Sequence, residues 1–227
     1  MRVLAIDTAL GACAAAVFDS AQSTILAAES LPMTRGHAEA LLPLLARVID
    51  QSRLEFRDLD RIAVTVGPGS FTGVRVGISA ARGLALASGR PAVGLSTFAA
   101  YAAPHVRLDE DVATIAVIDA RHGRVYMQAF GHTGKTLLAP RIATIRDAIR
   151  ALRGGPARIV GSAADLIAEQ LPPGEPAPLL VQADPAPAIE WVARLGAAAE
   201  ETSEPPRPLY LAEPDAKPQG AARLPRA

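Results

Sequence analysis

This chain has one cysteine, Cys13, so it can have neither a disulfide framework nor a centre built on several thiolates. Only 4% of its residues are aromatic, five Phe, three Tyr and one Trp. That leaves few platforms for stacking single-stranded bases. Its 23 basic and 23 acidic side chains cancel, which removes the overall positive field of a lone RNA binder. No run approaches the roughly 18–20 uninterrupted apolar residues of a membrane helix, because Arg75 and Arg82 break the most apolar region. Asp7 interrupts the N-terminal apolar run before a signal-peptide core is complete. The expected location is the reducing cytoplasm. The four histidines, at 37, 105, 122 and 132, form no His-x-x-x-His pair, and His37-Ala38-Glu39 lacks the paired cysteines of a zinc deaminase. No metal site is expected. There is no Gly-x-Ser-x-Gly elbow, and Gly134-Lys135-Thr136 fails as a phosphate loop because position 129 is Ala.

What is present is a chain of 227 residues, half of them hydrophobic, enough for one large domain or two small lobes. Turn formers at Gly11 and Asp19-Ser20 divide three short strands, at 2–8, 12–18 and 24–30. Residues 36–51 read as a helix with Leu41, Leu44, Leu45 and Val48 on one stripe. Pro43 should bend this helix or mark its true start. A strand at 61–66, a glycine-rich connection, a small-residue helix at 72–88, a strand at 91–96 and a helix at 97–103 complete the first half. Laid over the second half at an offset of 112 residues, Ile6-Asp7 matches Ile118-Asp119, Gly11 matches Gly123, and Phe18 matches Phe130. This points to a duplicated lobe. Its later elements are expected as a helix at 143–153, a strand at 157–161, a helix at 163–171, a Pro-rich stretch from 172 to 187 and a helix at 188–200. The expected division is therefore 1–104 for the first lobe, 105–204 for a smaller second lobe, and 205–227 for a Pro-rich tail that is in part disordered.

Three features invite a functional reading. Gly67-Pro68-Gly69-Ser70-Phe71-Thr72-Gly73 joins a strand to a helix N-terminus, an arrangement that presents backbone N–H groups to an anion. Gly67, Gly69 and Ser70 fit an anion or nucleotide loop and a packing turn equally well, whereas Gly73 and Gly77 fit close packing better. Between Asp60 and Asp109 there is no acidic residue, while five arginines fall there, at 61, 75, 82, 90 and 107. Arg75, Ser79 and Arg82 share one helix face. The 36–51 helix has a second apolar stripe in Leu42, Ala46 and Ile49, which fits either an overlying loop or a partner.

Strands ending in Asp7 and Asp119, each opening a degenerate copy of one unit, resemble the actin, Hsp70 and sugar-kinase (ASKHA) α/β fold with two lobes, the second degenerate. Val3-Leu4-Ala5-Ile6-Asp7-Thr8, the run Gly67–Gly77 and Pro208-Leu209-Tyr210-Leu211 resemble the TsaB (YeaZ) family over nearly the whole chain. The resemblance implies a non-catalytic scaffold and activator of TsaD, the transferase that makes N6-threonylcarbamoyladenosine at position 37 of tRNAs reading ANN codons. It implies TsaD and nucleotide-bearing TsaE as partners, a homodimer when TsaD is missing, tRNA contact only through TsaD, and no cofactor. TsaD's metal-binding His-x-x-x-His falls on Thr97 and Tyr101 here. The fold's phosphate glycine falls on Ala9, and Gly161-Ser162 stand where the adenosine-binding glycine pair would lie. The family's dimer surface falls on the two first-lobe helices, so Leu41, Leu45, Val48, Val74 and Ile78 are the expected partner-interface residues. Asp7, Gly67, Gly69 and Ser70 are the expected anion or nucleotide loop. The alternative is a small nucleotide-binding protein or kinase of the same fold.

Overall fold

The computed structural model describes residues 1–108, 111–202 and 204–211. β1 (Arg2–Asp7), β2 (Ala12–Asp19) and β3 (Thr24–Pro32) form an antiparallel meander. α1 (His37–Ser52) then leads to β4 (Arg61–Gly67), and α2 (Phe71–Ser88) to β5 (Ala92–Ser96). The sheet order is β3-β2-β1-β4-β5, with β1, β4 and β5 parallel. Each strand face follows the two-residue period of its side chains. Leu4 and Ile6 point into a core with Ala15 and Val17 beneath α1 and α2. Val3 and Ala5 point to the opposite face with Ala14 and Ala16. Because both faces are covered, all eight residues of β2 are buried, and its small side chains Ala-Cys-Ala-Ala-Ala suit a strand packed on two sides.

α3 (Thr97–Ala102) carries the chain into the second unit. There β6 (Ala113–Asp119), β7 (Arg124–Phe130), β8 (Thr136–Thr144), β9 (Ala157–Val160) and β10 (Leu180–Gln182) form a second sheet. α4 (Ile145–Ala151) and α5 (Ala164–Glu169) lie between its later strands. The order β8-β7-β6-β9-β10, with β6, β9 and β10 parallel, repeats the first sheet strand for strand. The starts of β2 and β7, and of β3 and β8, are 112 residues apart, as the sequence repeat requires. That offset ends at the first helix, because α1 has 16 residues and α4 has 7.

Several expectations are corrected. The helix expected at 143–153 begins only after β8. Thr144 caps it, accepting the Asp147 N–H at 3.1 Å, and the last turn, Leu152–Gly154, tightens to a 3₁₀ form. The Pro-rich 172–187 stretch contains the edge strand β10. Pro43 neither starts nor breaks α1, which runs unbroken from His37. It sits on the exposed side, where the carbonyl its ring leaves unpaired meets water. The last helix, α6 (Ile189–Ala198), returns to the first sheet and packs Ile189, Val192 and Ala193 on Val3, Ala5 and Ala63, so the first lobe draws on residues well past 104. Arg61, one of the five arginines in the acid-free span, is buried. It donates to the carbonyls of Gly196 at 2.9 Å and Ala199 at 2.6 Å at the end of α6. Residues 205–211 of the tail lie along the first lobe, and the disorder expected for the rest falls on 212–227, outside the described residues.

Candidate functional site

The glycine-rich run links β4 to α2 and packs against the end of β1. Gly67 adopts φ +102°, a value that an L side chain rarely tolerates. Ser70 caps α2, its Oγ accepting the Gly73 N–H at 3.3 Å, while its own N–H donates to the Ala9 carbonyl at 2.7 Å. A Cβ on Gly69 would overlap the Ala9 carbonyl oxygen, and one on Gly73 would overlap that of Thr8. The Thr8 hydroxyl donates to the Gly73 carbonyl at 2.7 Å. The turn expected to cradle an anion therefore holds the chain's own Ala9. The Ala9 N–H in turn donates to Asp7 Oδ1 at 3.0 Å. Gly69 and Ser70 thus lie in close contact with Ala9, whose side chain stands where the fold's phosphate glycine would be.

Asp7 is fully buried. Its Oδ1 also accepts the Thr65 hydroxyl, and its Oδ2 has no hydrogen-bond partner. Burial pushes this carboxyl above its ordinary range, and the bonds from Thr65 and Ala9 and the charge of His37 only partly offset it. The same aspartate turn recurs in the second unit, where Asp119 Oδ1 accepts the Arg121 N–H at 2.7 Å, but Asp119 is exposed.

Gly11 N–H, just before β2, donates to the Pro185 carbonyl at 3.0 Å, and within the second unit Gly161 N–H donates to that of Gln182 at 2.9 Å. The chain is thus held to the second sheet at the end of β10 and to the first unit just after it. Ser162 Oγ accepts the Asp119 N–H at 3.3 Å, so Gly161 and Ser162 are engaged in bonds within the second unit. Thr97 is buried with no partner for Oγ1. Tyr101 donates its hydroxyl to the Asp184 carbonyl at 2.8 Å, and burial pushes its phenol far up. A hydroxyl in an apolar setting and a protonated phenol do not fit a transition metal as paired imidazoles would. Among the described residues no group of three His, Cys, Asp or Glu side chains could hold a metal ion.

The remaining candidate is the outer face of α1 and α2, and here the expected residues are corrected. Leu41, Leu45, Val48, Val74 and Ile78 are 1%, 1%, 0%, 3% and 4% exposed and belong to the core beneath the helices. Their stripe is the one that must cover Leu4 and Ile6, so it faces inward. Ile49 of the second stripe is also buried. The outward face instead carries Leu42, 62% exposed, and Phe71, 46% exposed. These two, with Arg75, Val76 and Ala80, line an open groove of about 500 Å³ between the helices. Arg75, Ser79 and Arg82 are exposed along α2, as their spacing implied. Phe71 could have been found from sequence as the only aromatic in the run, one residue past the cap.

Two copies of a three-strand meander followed by alternating helices and parallel strands are the fold shared with actin-like ATPases and sugar kinases. A polyphosphate/ATP-glucomannokinase from Arthrobacter, 13% identical, superposes with a TM-score of 0.51 over 87% of this chain and 98% of that one, a likeness of fold alone. A family model described as TsaD, tRNA N6-adenosine threonylcarbamoyltransferase, matches residues 25–198. The tRNA threonylcarbamoyladenosine biosynthesis protein TsaB of Escherichia coli is 40% identical over 126 residues, 56% of this chain and 53% of that protein. YeaZ from Pseudomonas aeruginosa is 28% identical with a TM-score of 0.74, over 92% of this chain and 99% of that one. The chain belongs to this family, on its TsaB (YeaZ) branch. It spans about half the length of the TsaB relatives it matches. No helix among the described residues is long and apolar enough to cross a membrane.

Proposed function

We propose that this chain works in tRNA threonylcarbamoyladenosine biosynthesis as a non-catalytic scaffold that docks on TsaD and activates it for modification of tRNAs reading ANN codons. The observation that carries the reading is a contrast within one lobe. The fold's phosphate turn is filled by Ala9 and its carbonyl, while Leu42 and Phe71 stand exposed above the groove between α1 and α2. Such a pairing suits a unit that has given up its own ligand and kept a face for a partner. In this reading TsaD occupies the groove, a second copy of this chain takes its place when TsaD is absent, nucleotide-bearing TsaE joins the assembled pair, and tRNA is held by TsaD. The assembly works in the cytoplasm. The kinase alternative needs a backbone approach to phosphate that the Ala9 Cβ and the Ala9–Ser70 bond oppose.

The test is a modification assay with purified TsaD and TsaE, tRNA transcript and a supply of threonylcarbamoyl-adenylate. It is run with this protein, without it, and with Leu42→Asp. Modified adenosine formed only with the wild-type protein is the expected result. Equal formation without it would overturn the scaffold role.

A further inference from the structure

We infer that residues 206–211 are a strap that positions Arg75 to receive a carboxylate from the helix docking on α1 and α2. The inference rests on the reading of that groove as the TsaD face and assigns the partner's chemistry there.

The strap is fastened at three points. Pro206 is buried and lies against Gly94 of β5. Leu209 donates its N–H to the Val66 carbonyl at the end of β4, at 2.8 Å, and its own carbonyl closes over Gly67, where an added Cβ would sit 3.2 Å from it. Leu211 reaches the apolar cluster of Phe98 and Tyr101 between the two units. Tyr210, between these anchors, is thrown outward over α2. Its hydroxyl accepts the Arg75 Nε–H at 2.8 Å. The Arg75 guanidinium stands 3.5 Å from the Phe71 ring centre and 5.7 Å from that of Tyr210, and the two rings are 5.7 Å apart.

This stack lies outside the buried cores of the protein. Phe71 and Tyr210 remain 46% and 49% exposed. Arg75 has no carboxylate within 4.0 Å among the described residues, and the sequence offers none between Asp60 and Asp109. An arginine held by Nε and by two ring faces has lost much of its rotamer freedom before any partner arrives, while its terminal amino groups stay available for a two-pronged bond to a carboxylate. Exposed aromatics around a fixed arginine, at the mouth of an apolar groove, match the composition of interface hot spots. The Arg75 turn of α2, lining the groove with no acid within 4.0 Å among the described residues, makes the face electrostatically complementary to an acidic helix. Tyr210 is therefore a positioning residue that acts through Arg75.

The test measures the affinity of the full chain for purified TsaD from the same organism, at several salt concentrations, for the wild type, Leu42→Asp, Arg75→Gln, Tyr210→Ala, Tyr210→Phe and the Arg75→Gln/Tyr210→Ala pair. Thermal unfolding of each variant alone is expected to stay near wild type, because every changed side chain is exposed. Arg75→Gln is expected to weaken binding about tenfold and flatten its salt dependence. Tyr210→Ala should do much the same, Tyr210→Phe less, and the double variant little more than either single one, since both act on one contact. If Leu42→Asp abolishes binding while Arg75→Gln leaves affinity and salt slope unchanged, the carboxylate-receiving role falls and the groove stands. If Arg75→Gln weakens binding but Tyr210→Ala does not, the strap has no positioning role. If Leu42→Asp binds as well as wild type, the groove reading itself falls and takes the inference with it. If the Arg75 variants change only the self-association of the chain, the occupant is a second copy and the inference is wrong.

Discussion

Glycine-to-alanine substitution at two positions of α2 should change stability in opposite directions. In a solvent-facing helix interior, alanine is worth about 1 kcal/mol over glycine, through backbone entropy. Gly83 is exposed and an added Cβ would meet nothing within 4 Å, so Gly83→Ala should stabilise the chain by about 0.5–1 kcal/mol. Gly73 lies ten positions earlier in the same helix, where an added methyl would overlap the Thr8 carbonyl oxygen. Relief requires α2 to lift from the end of β1, which strains the buried bond between the Thr8 hydroxyl and the Gly73 carbonyl at 2.7 Å. Overpacking costs about 1–3 kcal/mol and the weakened bond about 1 kcal/mol. Against the helical gain, the net for Gly73→Ala is a loss of roughly 1–3 kcal/mol. Urea unfolding followed by circular dichroism reads both, as midpoints shifted in opposite directions at unchanged slope. Equal stabilisation by the two substitutions would refute the close approach of α2 to β1 on which the geometry of the glycine-rich run depends.

Further outcomes follow from burial and charge. Leu45→Ala, at a site 1% exposed, should cost about 2–5 kcal/mol in urea unfolding, whereas Leu42→Ala, at 62% exposed, should stay within about 0.5 kcal/mol; a reversal would restore Leu45 to the partner face. Burial raises the Asp7 carboxyl in the folded chain, so the folded state holds that proton more tightly than the unfolded one. The associated stability is present below the ordinary carboxylate range, near pH 4, and is lost as pH rises through the folded value. Thermal unfolding across pH 4–8 should show a shallower decline for Asp7→Asn than for wild type, and an unchanged profile would remove Asp7 as its source. Burial, then the nearby Asp7 charge, pushes the Cys13 thiol up to about 11. A thiol reagent should therefore label native protein only through opening events, with rates that climb with urea, and immediate labelling would contradict the buried site.

The repeated strands are legible because two-residue periodicity and turn glycines are local signals, and the matches of Asp7 to Asp119 and Gly11 to Gly123 mark the first meander and the β6–β7 hairpin of the second, but not β8, which carries no such match and forms by pairing with β7. β10 was not legible, because three residues within a proline-rich stretch carry no period of their own and become a strand only by pairing with Arg158–Val160. For α1 the sequence displayed two apolar stripes, but the choice between them lies in which one the sheet covers, and that depends on residues of β1 and β2 far away in the chain. The glycine-rich run was recognisable as a close approach, but not as an approach to Ala9, because the bond from Ser70 spans the first lobe. Tyr210 gives no local signal of its role, since its contact with Arg75 joins residues 135 positions apart.

The return of α6 to the first sheet has a consequence for synthesis. One layer over Val3, Ala5 and Ala63 is missing until Ile189, Val192 and Ala193 arrive, and Arg61 has no carbonyls to hold until Gly196 and Ala199 emerge. The half of the protein made first is thus the half finished last. A nascent chain leaving the ribosome carries an uncovered sheet face through the whole translation of the second unit, an interval in which chaperone binding or mispairing with another nascent copy would be decided.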